Sequence, residues 1–122
     1  MFDHSFDELL KQRPELQEKY GAFLEAVNEN GRIPHAVLAA CQSRVRQVHG
    51  LEADNQLKPS SEAERLALVV AEKMPFHHHD LRDDEVRDVK EAFGDGGCVA
   101  LLTAIAFFDA ACRLELTFKG GI

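Results

Sequence analysis

The chain has 122 residues, which is enough for one domain with a buried core and too few for two comfortable domains. Hydrophobic residues make up 45% and charged residues 29%, so the composition excludes an intrinsically disordered chain. The formal charge of -7, with no cluster of basic residues, excludes a nucleic-acid partner because such a surface repels phosphate. We expect one globular domain over residues 1–122.

The cysteines and the apolar segments indicate the cellular compartment. Cys41, Cys98 and Cys112 are odd in number, widely spaced and set among apolar neighbours, unlike a secreted disulfide framework. Acidic residues stand near the N-terminus where a signal peptide needs a basic and then an apolar run. The longest apolar run, residues 98–112, contains Thr103 and Asp109 and is too short to span a bilayer. We expect a cytoplasmic protein without a membrane partner.

Two helices are predicted in the first half, after a short amphipathic turn around Phe6. The first begins near Pro14 and ends at residues 28–31, with four side chains on one face: Leu16, Tyr20, Phe23 and Val27. The second covers residues 34–50, because Pro34 suits a first helical turn and Gly50 suits a helix end. The short connection predicts that the two helices are antiparallel neighbours.

The helix over residues 34–50 is the element around which the chain is organised. Its apolar residues recur at spacings of four, four and three, which places Val37, Cys41, Val45 and Val48 in one stripe facing a core. Arg44 lies close to that stripe.

Three further helices are predicted after a polar loop over residues 51–61. Ser61 and Glu64 form a capping-box pattern, and that helix ends before Pro75. Acidic residues at 83–85 favour the start of the next helix, which a glycine-rich segment at 94–97 ends. The last helix, residues 98–118, is apolar nearly all round until Arg113, so it is either central or part of a subunit interface. The fold class is therefore all-α, a compact bundle of about five substantial helices that forms a homo-oligomer through apolar helices.

Two groups of residues are candidates for chemistry. His77, His78 and His79 are followed by Asp80, so His77 and His79 are candidate metal ligands; the alternative is a solvated loop, because adjacent residues rarely converge on one ion. Cys41 is a candidate nucleophile with Arg44 and His49 as assisting groups. The alternative for Cys41 is packing as a small hydrophobe, which the apolar stripe favours.

Charged residues within apolar segments predict a buried ion pair. Arg44 points near a buried face and Asp109 lies inside an apolar helix, and isolated buried charges are unfavourable unless they are paired. We expect Arg44 to pair with Asp109 or Glu115; the alternative is that each charge reaches the rim of the fold or an interface.

Two parts of the chain carry a resemblance to a known family: residues 31–34 leading into 44–50, and the segments 64–68, 83–86, Phe93 and 104–114. In these parts the chain resembles the alkylhydroperoxidase D-like, or carboxymuconolactone decarboxylase, superfamily. The resemblance implies a helical fold that assembles into dimers, trimers or hexamers. It also implies a peroxidase site made of a Cys-x-x-Cys pair, a following His and an upstream Glu. Those positions fall here on Leu51 and Asp54, near Lys58, and on Ala39.

None of these four chemical groups is present, and a resolving disulfide needs two thiolates. The leading hypothesis is therefore an oligomeric binding or structural protein that has lost the dithiol peroxidase residues, without a cofactor and with an unknown small-molecule ligand. One alternative is a one-cysteine peroxidase or related oxidoreductase that uses Cys41. Another is a metal-binding module that uses His77 and His79.

Overall fold

The computed structural model describes residues 6–29, 31–53 and 58–121, and all the regular structure in these ranges is helical. Five α-helices follow one another: α1 (Phe6–Leu10), α2 (Pro14–Asn28), α3 (His35–Val48), α4 (Glu62–Lys73) and α5 (Asp83–Gly121). A single 3₁₀ turn, His78–Asp80, connects α4 to α5. The prediction of an all-α bundle is confirmed, with α1 as a single short turn and the other four as substantial helices.

The last two predicted helices are joined in α5, with a break at Gly94. Gly94 has φ 78° and ψ 169°, a backbone conformation that is essentially restricted to glycine. The predicted break therefore exists, but the chain resumes helical geometry immediately and needs no separate connecting loop. The Arg32 side chain lies against this break, because a Cβ added at Gly94 would be 3.1 Å from its Nη1 atom.

Helices α3, α4 and α5 pack against one another and supply most of the core. The predicted inward stripe of α3 is confirmed for Val37, Cys41 and Val45, which are buried, while Val48 is half-buried. The α4 and α5 residues predicted to face inward also lie in the core or against it: Ala63, Leu66, Ala67, Val70, Met74, Val86, Val89 and Phe93. Periodicity thus identified the buried faces of the three central helices correctly.

Helix α2 is placed differently from the prediction. It packs on α1 and contacts α5 through the stacked rings of Phe23 and Phe107, 4.1 Å apart, but it barely contacts α3. The predicted antiparallel pairing of α2 and α3 is therefore wrong. Only Val27 of the predicted α2 face is buried, and Leu16 is exposed. Tyr20, in the middle of that face, borders an open cavity.

The start of α4 is built as the capping pattern predicts, with one difference. The Glu64 backbone N–H donates to Ser61 Oγ at 3.1 Å. The Glu64 carboxylate, however, accepts from the backbone N–H of Ser60 at 2.8 Å instead of that of Ser61. The far end of α4 is tied to α5 by Lys73, whose Nζ atom lies 2.8 Å from Glu85 Oε1.

Among the described residues one helix, residues 83–118 of α5, is long and apolar enough to cross a membrane by length and composition. This corrects the estimate made from the apolar run alone, because the helix continues beyond both ends of residues 98–112. The core helix of a soluble protein passes the same test, and one face of α5 is packed in the core of this fold.

Candidate functional site

Cys41 lies in the middle of α3 and is completely buried. Burial raises the pKa of its thiol to about 12; the nearby charge of Glu64 acts in the same direction, and that of Arg44 acts against it. A nucleophilic cysteine needs a lowered pKa and access to solvent. The surroundings of Cys41 therefore favour a packed thiol.

The two groups proposed to assist Cys41 are engaged elsewhere. The Arg44 guanidinium forms an ion pair with Glu72 of α4. His49 follows the last residue of α3, about 12 Å along the helix from Cys41 at 1.5 Å per residue. The structure therefore does not assemble Cys41, Arg44 and His49 into one site, and the predicted pairing of Arg44 with Asp109 or Glu115 is wrong.

His49 belongs to a cluster that joins the end of α3 to α5 and to the loop after α4. Its side chain is 2% exposed, and its Nε2 atom lies 2.6 Å from Asp109 Oδ1. Arg113 donates to the same carboxylate at 3.1 Å and to the carbonyl oxygen of Pro75 at 2.9 Å. The Phe76 ring contacts both the His49 ring and the Arg113 guanidinium. The imidazole of His49 has almost no access to a substrate, so we interpret this closed arrangement as structural and not as a reaction site.

The histidine run lies on the surface, with His77 just before the 3₁₀ turn and His78 and His79 in it. His77, His78 and His79 are all exposed, and His77 Nδ1 is 3.9 Å from Asp80 Oδ2. The rings of His78 and His79 stack on each other, 4.1 Å apart. Within the part of the chain that the structure describes, no group of three or more His, Cys, Asp or Glu residues is arranged to hold a metal ion. The geometry therefore favours the solvated-loop alternative for His77 and His79.

A second ion pair joins α3 to α5. Arg46 Nη1 lies 3.0 and 3.2 Å from the two carboxylate oxygens of Glu115, and Arg46 Nε donates to the carbonyl oxygen of Glu52 at 2.8 Å. The Glu115 carboxylate also accepts from the backbone N–H of Phe6 at 3.0 Å. The Glu115 side chain is only 9% exposed, so this pair is held in place by burial and by the backbone groups of Phe6 and Glu52.

The Arg46–Glu115 pair borders an open cavity of about 620 Å³ between α1, α2, α3 and α5. Tyr20 and Leu24 form the α2 wall, and Phe108 and Cys112 form part of the α5 wall. Burial, helped by the charge of Asp7, raises the pKa of the Tyr20 hydroxyl, which therefore stays protonated and able to donate a hydrogen bond at neutral pH. More than half of the cavity lining is polar, and Tyr20 and Phe108 add aromatic surface, so the cavity suits a polar ligand.

The cavity offers binding groups without an activated nucleophile. Its cysteine, Cys112, has a pKa raised to about 11, chiefly by burial. Burial also raises the pKa of Cys98, so none of the three thiols has the lowered pKa of a reactive cysteine.

The sequence pattern does not predict this site, although it predicts Glu115 as one possible partner of Arg44. The available signal was that a carboxylate there needs a cation, and both Arg44 and Arg46 stand on the facing helix. Arg44 and Arg46 point in directions about 200° apart around α3. Only the packing of the helices decides which of the two faces Glu115. The cavity itself depends on the position of α2, which the sequence pattern placed incorrectly.

No protein-family model, no curated protein and no solved structure matches this chain.

Proposed function

We propose that this chain is a small-molecule-binding protein whose ligand occupies the cavity beside Arg46 and Glu115, and that it does not perform dithiol peroxidase chemistry. The observation that carries the proposal is the open cavity of about 620 Å³ with a partly buried ion pair on its wall. Ligand sites for small molecules commonly enclose roughly 300–1,000 Å³.

The polar side of the cavity is organised before a ligand arrives. Glu115 and the carbonyl oxygen of Glu52 hold the Arg46 guanidinium from two directions. Arg46 and Glu115 therefore give up little side-chain freedom on binding, which reduces the entropic cost of forming a complex. Ser43 and Gln42 add hydroxyl and amide groups from the same helix, and these can select the orientation of a ligand.

The residues at the two positions where the resemblance implies cysteines, Leu51 and Asp54, carry no thiol. Leu51, at one position where the resemblance implies a cysteine, is half-buried and packs against the core. Asp54, at the other position, lies outside the described residues. Membership of the alkylhydroperoxidase D-like superfamily, an oligomeric state and a cytoplasmic location remain predictions from the sequence.

A cavity-filling substitution tests the proposal. Ser43→Phe places a ring in the cavity, whereas Ala39→Phe adds the same ring one turn earlier on an exposed part of α3. A library of neutral, anionic and cationic fragments is screened by saturation-transfer NMR against the wild type and both variants. We expect fragments that bind the wild type to lose their signal with Ser43→Phe and to keep it with Ala39→Phe.

Two results would contradict the proposal. One is that no fragment binds the wild type. The other is that the fragments bind Ser43→Phe as well as they bind the wild type. Thermal melting of both variants establishes that any lost binding comes from the filled cavity and not from unfolding.

A further inference from the structure

One face of α5 is apolar and exposed over about five helical turns. Six residues form this face, which we call the α5 stripe, and all except the half-buried Thr103 are exposed: Val99, Thr103, Ala106, Ala110, Leu114 and Thr117. Their spacings of four, three, four, four and three follow the helical repeat, so the residues lie in one line about 27 Å long. Val99 is 66% exposed and Leu114 is 43% exposed, and no charged residue lies in the line. The opposite face of the same helix is buried in the core.

The edge of the stripe extends the apolar surface. Phe107 and Phe118 lie along one side of it and remain over two-fifths exposed, although Phe107 stacks on Phe23 of α2. Thr117 donates its hydroxyl to the carbonyl oxygen of Arg113 at 2.7 Å, so its methyl group remains for apolar packing. A continuous exposed apolar face of this kind marks an interaction surface.

We propose that the α5 stripe is the contact surface between two copies of this chain, paired antiparallel. Two alanines lie at the centre of the stripe, on either side of the level of residue 108, and larger side chains lie toward both ends. In an antiparallel pair, Ala106 of one copy meets Ala110 of the other, Thr103 meets Leu114, and Val99 meets Thr117. The two alanines at the crossing allow close approach, and the larger side chains pack on either side, so the surface is complementary to itself as a two-fold interface requires.

Charge favours a second copy over a lipid surface. The chain carries a formal charge of -7, which repels the anionic headgroups that attract peripheral membrane helices, and such helices usually carry Lys and Arg beside their apolar face. The stripe itself is neutral, so two copies meet there without placing like charges in contact. The surface also lies away from the cavity side chains of α5, so a dimer leaves the proposed ligand site open.

The area of the stripe limits the strength of the dimer. A line of about 27 Å on a helix roughly 10 Å wide covers about 270 Å², well below the roughly 800 Å² per partner of a standard stable interface. The dimer is therefore weak and depends on concentration. Sedimentation velocity from low to high micromolar protein should show a shift from 13.6 kDa toward twice that mass.

Two leucines on α5 provide a matched test. Leu114 lies in the stripe, whereas Leu116 is two residues further on and faces about 200° away, yet both are partly exposed. Leu114→Glu should remain monomeric at concentrations where the wild type is mostly dimeric, and Leu116→Glu should dimerise like the wild type. Circular dichroism establishes that both variants are folded, and Ala110→Glu replaces Leu114→Glu if the latter unfolds.

Cysteine cross-linking tests the antiparallel arrangement. The double variant Val99→Cys with Thr117→Cys should form disulfide-linked dimers under mild oxidation, and Val99→Cys alone should not, because equivalent residues are then far apart. The native cysteines are buried and do not interfere. A wild type that stays monomeric at every concentration overturns the proposal, as does one that instead pellets with phosphatidylcholine vesicles. Equal cross-linking by the single and double variants overturns the antiparallel pairing.

Discussion

At the scale of single residues, burial decides which side chains of this protein can react. Cys41 has a cation one turn away, a pattern that in the sequence is compatible with an activated thiolate. In the folded chain the loss of solvent and the nearby Glu64 charge outweigh Arg44, and the pKa of the thiol rises to about 12. The His49 imidazole is likewise unavailable to a substrate, because it contacts Asp109 and Phe76 and is buried.

Thiol labelling tests this conclusion. At pH 8 the folded protein should react with a thiol reagent such as iodoacetamide far more slowly than a free cysteine does, because all three thiols are buried and have raised pKa values. In denaturant, three thiols per chain should react. The labelled positions are identified by mass spectrometry of peptides.

Rapid labelling of Cys41 in the folded protein, together with consumption of a hydroperoxide that is lost in Cys41→Ser, would contradict the packed-thiol interpretation. It would favour the one-cysteine peroxidase instead. Labelling confined to Cys112 would leave Cys41 as a core residue and would show that reagents enter the cavity.

At the scale of secondary-structure elements, the break in α5 allows the two halves of the helix to run in different directions while both pack on the core. The part before Gly94 carries Val89 into the core and is joined to α4 by the Lys73–Glu85 ion pair, and the part after Gly94 carries Leu101 and Ile105 into the core. A straight helix of 39 residues would extend well beyond a fold of this size. The conformation of Gly94 is therefore what keeps both halves of α5 on the same core.

Substituting the glycines of the break separately tests this role. Gly94→Ala should lower the free energy of unfolding by about 1–3 kcal/mol, because alanine is strained at φ 78° and ψ 169°. Gly96→Ala is the control: its backbone is helical, its added Cβ meets Arg32 at an ordinary 3.4 Å, and alanine favours the helix. Denaturant unfolding followed by circular dichroism measures both variants. Equal stability of the two variants would contradict the assigned role of Gly94.

At the scale of the whole molecule, ion pairs between helices add to the packing of the core and make the stability of the bundle depend on pH. Glu85 accepts from the backbone N–H of Arg82 and from Lys73 of α4, and these contacts lower the pKa of its carboxyl group. A carboxyl group with a lowered folded-state pKa contributes stability above its unfolded pKa of about 4.3. That contribution disappears as the pH falls through the lower, folded-state pKa.

Acid titration of the unfolding free energy tests this linkage. Glu85→Gln should be less stable than the wild type at pH 7, and it should lose less stability than the wild type between pH 5 and pH 3 because the amide does not titrate. Glu91→Gln, an exposed change on the same helix, should follow the wild-type curve. Parallel acid curves for the wild type and Glu85→Gln would contradict the proposed contribution of Glu85.

The sequence by itself determined the helices and the buried faces of α3, α4 and α5. The all-α class, the start of α2 at Pro14, the cap of α4 at Ser61 and the glycine break in α5 all follow from interactions between residues a few positions apart. Such local preferences are readable in a single sequence because the residues that cause them are neighbours.

Tertiary structure alone decided which residues form the ion pairs between helices and where the cavity lies. Arg46 and Glu115 are 69 positions apart, and His49 and Asp109 are 60 apart, so no local spacing connects them. The choice of Arg46 instead of Arg44 follows from how α3 is rotated against α5. The cavity exists because α2 packs on α1 instead of along α3. These features depend on how helices fit together in space, and helix packing is set by the summed shapes of many side chains.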